Sequence, residues 1–401
     1  MNRRAFLSAF SAVTCLPYAR AFAEPGHAHQ TGSTTKRAPL AMSAAFAPNG
    51  TLWLVGLNEH QQLFTQFSSN EGAKWSAPRV IGAGEDTIAA EGESRPKLAF
   101  GPNGWVVISY TKPLSKPYTG EIRMVRSVDG GVTFSKPFTV HQDRQLITHR
   151  FDSIAFDAAG ALHTFWVDKR DLELARRDGT EAQYAGAAIY RNVSLDGGRT
   201  FGPDIKLADH SCECCRIALA PSANGGLAVL WRHVFDGNIR DHAFATIAPR
   251  GRSASTVQRA SFDEWSIDAC PHHGPALAPA SDDGYHAVWF GVRNDEPAVR
   301  YARLDQRGNP RGSIKVLPDA GAEHAHVQSA GSHVAIVWRS YDGSRTRYSA
   351  WISTDEGKTF AHRELGSTNV ENDHPFVLRR DRELFAVWRT SEAVHVEPLH
   401  A

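Results

Sequence analysis

The octapeptide Ser127-Val128-Asp129-Gly130-Gly131-Val132-Thr133-Phe134 recurs along the chain. Ser194-Leu195-Asp196-Gly197-Gly198-Arg199-Thr200-Phe201 repeats it, and Ser353-Thr354-Asp355-Glu356-Gly357-Lys358-Thr359-Phe360 repeats it again. A worn copy, Ser68-Ser69-Asn70-Glu71-Gly72-Ala73-Lys74-Trp75, precedes them. Each copy has the chemistry of a tight hairpin. The Asp side chain accepts hydrogen bonds from the turn's own amides, Gly supplies a positive φ, and the final aromatic packs beneath the bend.

A second repeat surrounds the first. A short apolar segment meets a Gly, Asn or Asp turn and then a β-branched and aromatic segment. The pairs are Leu40–Ala47 with Leu52–Leu57, Lys97–Phe100 with Trp105–Tyr110, and Ser153–Phe156 with Leu162–Val167. They continue as Ile217–Ala220 with Leu227–Trp231, Pro275–Ala278 with Tyr285–Phe290, Val327–Ala330 with Val334–Trp338, and Pro375–Leu378 with Leu384–Trp388. Successive pairs lie roughly 50 to 65 residues apart, a period in the range of propeller blades. No long helical period competes with it. The pattern predicts an all-β fold, a β-propeller of four-stranded blades. Seven pairs favour seven blades. The last copy ends one strand short after Val394–Pro398, and the segment before Leu40 is expected to supply the missing strand.

The octapeptide resembles the Asp box of the sialidase and BNR-repeat propellers. That resemblance spans nearly all of the chain beyond its first residues, and it offers six blades as the alternative. In such topology the boxes sit at third-to-fourth strand turns on one face, which makes Asp129, Asp196 and Asp355 structural.

Residues 1–23 read as an export signal. Arg3-Arg4-Ala5-Phe6-Leu7 resembles a twin-arginine motif, an apolar run extends to Leu16, and Ala21-Phe22-Ala23 is a small-residue cleavage site. The run is too short to span a membrane stably. Residues 24–36 are expected to be a loose arm and 37–401 a single propeller, periplasmic or secreted. Formal charge is only +1, and a leader holding Arg3, Arg4 and Arg20 takes that away. Such a chain has no basic field for nucleic acid or a membrane surface.

On the opposite face, the crossovers carry Glu91, Glu93 and Arg95; Arg150 and Asp152; Cys212, Cys214, Cys215 and Arg216; Cys270, His272 and His273; His324 and His326; and Asp373 and His374. The second-to-third connections add Asp168, Arg170, Arg240, Arg293 and Tyr341. These groups are expected to ring the mouth of the axial channel, where a glycan or another small-molecule ligand would bind.

The cysteines have two readings. Aligning Ala218-Leu219-Ala220-Pro221 with Ala276-Leu277-Ala278-Pro279 sets Cys212 opposite Cys270 and Cys215 opposite His273. In an exported chain, four cysteines are read first as disulfides. Thiolates and imidazoles crowded on one rim also suit copper or zinc, with His272, His273, His324, His326 and His374 as further ligands.

The family resemblance implies more. Arg37-Ala38-Pro39 is similar to the Arg-Ile-Pro signature that opens sialidase catalytic domains, with Ala in place of Ile. Sialidases grip a substrate carboxylate with three arginines, use an Asp as acid/base, and use a Tyr paired with a carboxylate as nucleophile. The candidates for the grip are Arg37, Arg95, Arg150, Arg170, Arg216, Arg240 and Arg293. For the acid/base they are Asp152 and Asp168, and for the nucleophile Tyr341 or Tyr348. The Cys segments are not part of that pattern. Three classes follow: a glycan-directed protein, possessing or lacking exo-sialidase activity; a copper-type metal-binding protein; and an interaction scaffold for a protein partner.

Overall fold

The computed structural model of the chain describes residues 39–90 and 92–400. The leader, the arm, Arg37, Glu91 and any strand preceding residue 39 lie outside the described residues.

Seven antiparallel sheets follow one another in the described chain, six of four strands and the last of three. The fold is therefore a seven-bladed β-propeller. The innermost strands are Ser43–Phe46, Lys97–Phe100, His149–Phe156, Ala218–Pro221, Ala276–Pro279, Ala322–Ala330 and Phe376–Arg380. Each is followed by its hairpin partner, so the repeat read from sequence is the inner half of every blade.

The second strands are nearly all apolar because both of their faces are covered. Side chains alternate across a strand. In blade 4, Leu227, Val229 and Trp231 face a core shared with blade 3, while Ala228 and Leu230 face a core shared with blade 5. Seven such cores lie between neighbouring blades. The one between blades 7 and 1, with Met42, Leu54, Phe64 and Val387, closes the ring. Polar links reinforce this junction. The Met42 amide donates to Asp373 at 3.2 Å, and the rings of Phe46 and Phe385 lie 5.2 Å apart.

The Asp boxes occupy third-to-fourth strand turns, as expected. Ser127 Oγ donates to Asp129 Oδ1 at 2.6 Å and accepts the Gly131 amide at 2.8 Å. The other Asp129 oxygen accepts the Thr133 hydroxyl at 2.6 Å. The same bracket closes at Asp196 and Asp355. In the worn copy Asn70 takes the place of Asp and still accepts from Ser68 and the Lys74 amide.

Two departures from the sequence reading matter for the site. First, the connection beginning at Asp168 is not a loop, because Arg170–Arg177 forms a helix, α1. Its Leu172 is buried, and Asp171 accepts the Tyr190 hydroxyl at 2.8 Å. Second, Arg150, Asp152, His324 and His326 belong to innermost strands rather than crossovers. Both strands are bulged, with Phe151 at φ 53° and His324 at φ 50°. A bulge re-aims side chains without ending a strand.

Candidate functional site

The segment between blades 1 and 2 brings Glu93 and Arg95 to the hub. Arg95 forms a two-pronged pair with Asp373 at 2.8 and 2.9 Å. Its remaining N–H groups go to the carbonyls of Met42 and Gly92. Every N–H of that fork is committed, so Arg95 joins blades 1, 2 and 7.

Glu93 is buried and accepts from Arg216 at 3.1 and 3.3 Å and from His324 Nδ1 at 3.2 Å. Burial alone would raise its carboxyl, but Arg216, His324 and Arg95 outweigh that and hold it well below the ordinary range. His374 stacks on His324 with ring centroids 3.4 Å apart, and His273 lies 4.5 Å from His324. Burial, then His324, keeps both His273 and His374 neutral. Glu93, His324 and His374 could geometrically surround an ion. The Arg216 guanidinium already holds that carboxylate, however, and opposes a second cation there.

Two cavities open on the axis, of about 210 Å³ and about 270 Å³. They share Lys97, Ile154, Arg216 and His326, and the larger also reaches Arg95 and His374. Every titratable side chain lining either is basic. The acids stand behind: Glu93 on Arg216, Asp373 on Arg95, and Asp152 3.7 Å from Lys97.

The cavities also present donors. His326 Nδ1 accepts the Val377 amide at 3.3 Å, which assigns the proton of the neutral ring to Nε2. Burial, then Arg216 and Arg95, pushes this imidazole down to about 3. The Lys97 ammonium donates to the Arg95 carbonyl at 2.8 Å, leaving further N–H groups. Burial lowers its pKa while Asp152 opposes the shift. In sequence Lys97 is simply the first residue of a strand. The available signal was its place at the start of an innermost strand.

The other candidates disperse. Arg150 lies over the Phe151 ring at 5.0 Å. Arg170 pairs with Asp168 at 2.7 Å and Asp204 at 3.0 Å in blade 3. Arg293 is exposed at the end of Tyr285–Arg293. Asp168 also accepts from Trp166, and Asp152 accepts the Ser109 hydroxyl at 2.5 Å. Tyr341 is exposed and its hydroxyl donates to the Gly343 carbonyl, while buried Tyr348 donates to the Asp373 carbonyl. Of the candidate arginines, Arg95 and Arg216 line the axial cavities, whereas Arg150, Arg170, Arg240 and Arg293 do not.

The cysteines converge instead. Cys212, Cys214 and Cys215 are buried with Sγ atoms 3.7, 3.8 and 4.0 Å apart, and the exposed Cys270 lies beside this triad, close enough to interact with Cys212 and Cys214. All four are free. The disulfide expectation is therefore not met: these spacings are about twice the ~2.05 Å of an S–S bond. Arg240 belongs to this cluster, with its guanidinium 3.8 Å from Cys212 Sγ. His272 is exposed.

The fold defines the class as a seven-bladed β-propeller with a basic hub. No family model matches the chain, and no curated protein does. Solved structures do. One is a PL25 polysaccharide lyase, an ulvan lyase bound to -[GlcA(1-4)Rha3S]-, with a TM-score of 0.54 at 10% identity over 91% of this chain and 94% of that one. Another is the Hadza microbial sialidase Hz136, with a TM-score of 0.51 at 12% identity over 84% and 73%. At such identities the likeness is one of fold. Among the described residues no helix is long and apolar enough to cross a membrane.

Proposed function

We propose that this is an exported, glycan-directed propeller whose axial channel binds an anionic sugar, and that it does so without hydrolysing sialosides. The observation that carries this is the lining. Lys97, Arg216, His326 and His374 face the cavities with no acid among them. Such a surface suits an acceptor-rich carboxylate or sulfate ester. Each cavity is below the ~300 Å³ at which small-molecule sites usually begin, so a terminal sugar acid fits better than a threaded polymer. The two propellers of like fold act on glycans by their names, which agrees with this reading without fixing the ligand. The position of Arg150, Arg170, Arg240 and Arg293 away from the cavities, and of Tyr341 on the Gly343 carbonyl, argues against the sialidase reaction. The leader supports passage out of the cytoplasm.

Calorimetric titration of a uronate oligosaccharide, a sulfated one and a neutral one tests this. Binding of the acidic ligands and not the neutral one is expected, and it should weaken with salt. The paired change Lys97→Met with Asp152→Asn removes the cation without stranding its partner, and it should reduce affinity about tenfold. Equal binding of all three sugars, or of none, would defeat the proposal.

A further inference from the structure

The channel makes no use of the four thiols. Cys212, Cys214 and Cys215 come from the crossover into blade 4 and Cys270 from the crossover into blade 5, so the cluster bridges neighbouring blades. Buried cysteines can simply fill a core, and these do pack with Phe151 and Trp231. Core filling does not, however, require sulfur to meet sulfur.

The spacing has a definite meaning. Sulfurs bound at ~2.3 Å around a tetrahedral ion stand about 3.8 Å apart along each edge. The three recorded separations are 3.7, 3.8 and 4.0 Å. Thiolates brought this close need positive charge. The Arg240 guanidinium supplies it, 3.8 Å from Cys212 Sγ. Glu213, the one acid within Cys-X-Cys-Cys, is paired with Lys169. The donor set is thus sulfur alone, a choice that selects thiophilic closed-shell ions over magnesium, calcium or manganese.

We propose that Cys212, Cys214, Cys215 and Cys270 form a binding site for one thiophilic d¹⁰ ion, Zn²⁺ or Cu⁺, that ties the crossovers of blades 4 and 5. The site is independent of the axial channel and stands if the glycan reading fails. Cys270 is its exposed ligand, the side from which an ion enters.

The full chain, purified under reductant, stripped of metal and handled without oxygen, is titrated with Co²⁺ as a spectroscopic stand-in for zinc. In parallel it competes for Cu⁺ with a chromophoric chelator. One ion per chain is expected, with sulfur-to-cobalt charge-transfer bands if the occupant is zinc-like, or with Cu⁺ withdrawn from the chelator if it is copper-like. Cys214→Ser should weaken binding about 100-fold or more, since each thiolate carries a large share of a structural site's affinity. Should that variant fold poorly, X-ray absorption of the loaded wild-type chain decides instead: a sulfur shell at ~2.3 Å supports the site. Binding of neither ion, a shell of nitrogen and oxygen only, or unchanged affinity in folded Cys214→Ser would overturn it.

Discussion

Gly131 sits in the first intact octapeptide at φ +87°, and a methyl group built on it would stand 2.7 Å from the Trp53 ring of blade 1. The second Gly of the box therefore serves two ends. It takes a backbone conformation that L-residues resist, and it lets the turn lie flat against the preceding blade. Gly131→Ala is expected to destabilise the protein by about 2 kcal/mol through strain and overpacking. Urea unfolding would read this as a lower midpoint at unchanged slope, and an unaltered midpoint would contradict it. The box was legible because its residues bond within one turn. The hub was less so. Arg95 and Asp373 are 278 positions apart, as are Glu93 and Arg216 by 123, and no local pattern announces which acid will occupy which guanidinium. The candidate arginines are consequently interchangeable in sequence, whereas in the fold Arg95 commits its whole fork to Asp373, Met42 and Gly92 at the channel wall, and Lys97 keeps N–H groups for the channel itself.

Among elements, the ring must be closed between the last blade and the first. Arg95 contributes to this by joining the connection that leads into blade 7, at Asp373, to blades 1 and 2. Arg95→Ala would leave the buried Asp373 carboxylate without its partner, a loss of about 3 to 5 kcal/mol. Arg95→Ala combined with Asp373→Ala should recover part of it, and a double-mutant cycle measures the coupling. A stability unchanged by Arg95→Ala would mean that closure depends on other contacts. Element boundaries show where sequence reading reached its limit. The inner hairpins were found to within a few residues because alternation and Gly-rich turns mark them. The α1 helix is not legible in the sequence, since Arg170–Arg177 offers only Leu172, Leu174 and Ala175 as apolar side chains and is held by contacts with blade 3. The bulges at Phe151 and His324 were also invisible, because each arises from how a strand meets its neighbours.

At the scale of the whole molecule, the fold buries many imidazoles in neutral form. His326 is pushed down to about 3 by burial, then by Arg216 and Arg95, and His286 to about 3 by burial, then by Arg303. The sign follows from linkage. Above the ordinary imidazole value of ~6.5 both folded and unfolded states are neutral at these positions and stability is at its full value. As pH falls from there toward about 3, the unfolded chain takes up protons that the folded one refuses, costing about 1.4 kcal/mol per pH unit for each such group. The thermal midpoint should thus be level near pH 7 to 8 and fall steadily below about 6. His326→Gln should make that fall shallower, and a midpoint that is flat or rises on acidification would refute the assignment.

The central claim is that the axial channel, with its basic lining, is where this propeller meets its ligand. A crystal of the protein soaked with a glucuronate-terminated oligosaccharide tests it most directly. Electron density for the sugar carboxylate is expected between Lys97, Arg216 and His326. Density settled on the Asp-box face or an outer blade surface, with the channel holding only solvent, would contradict it.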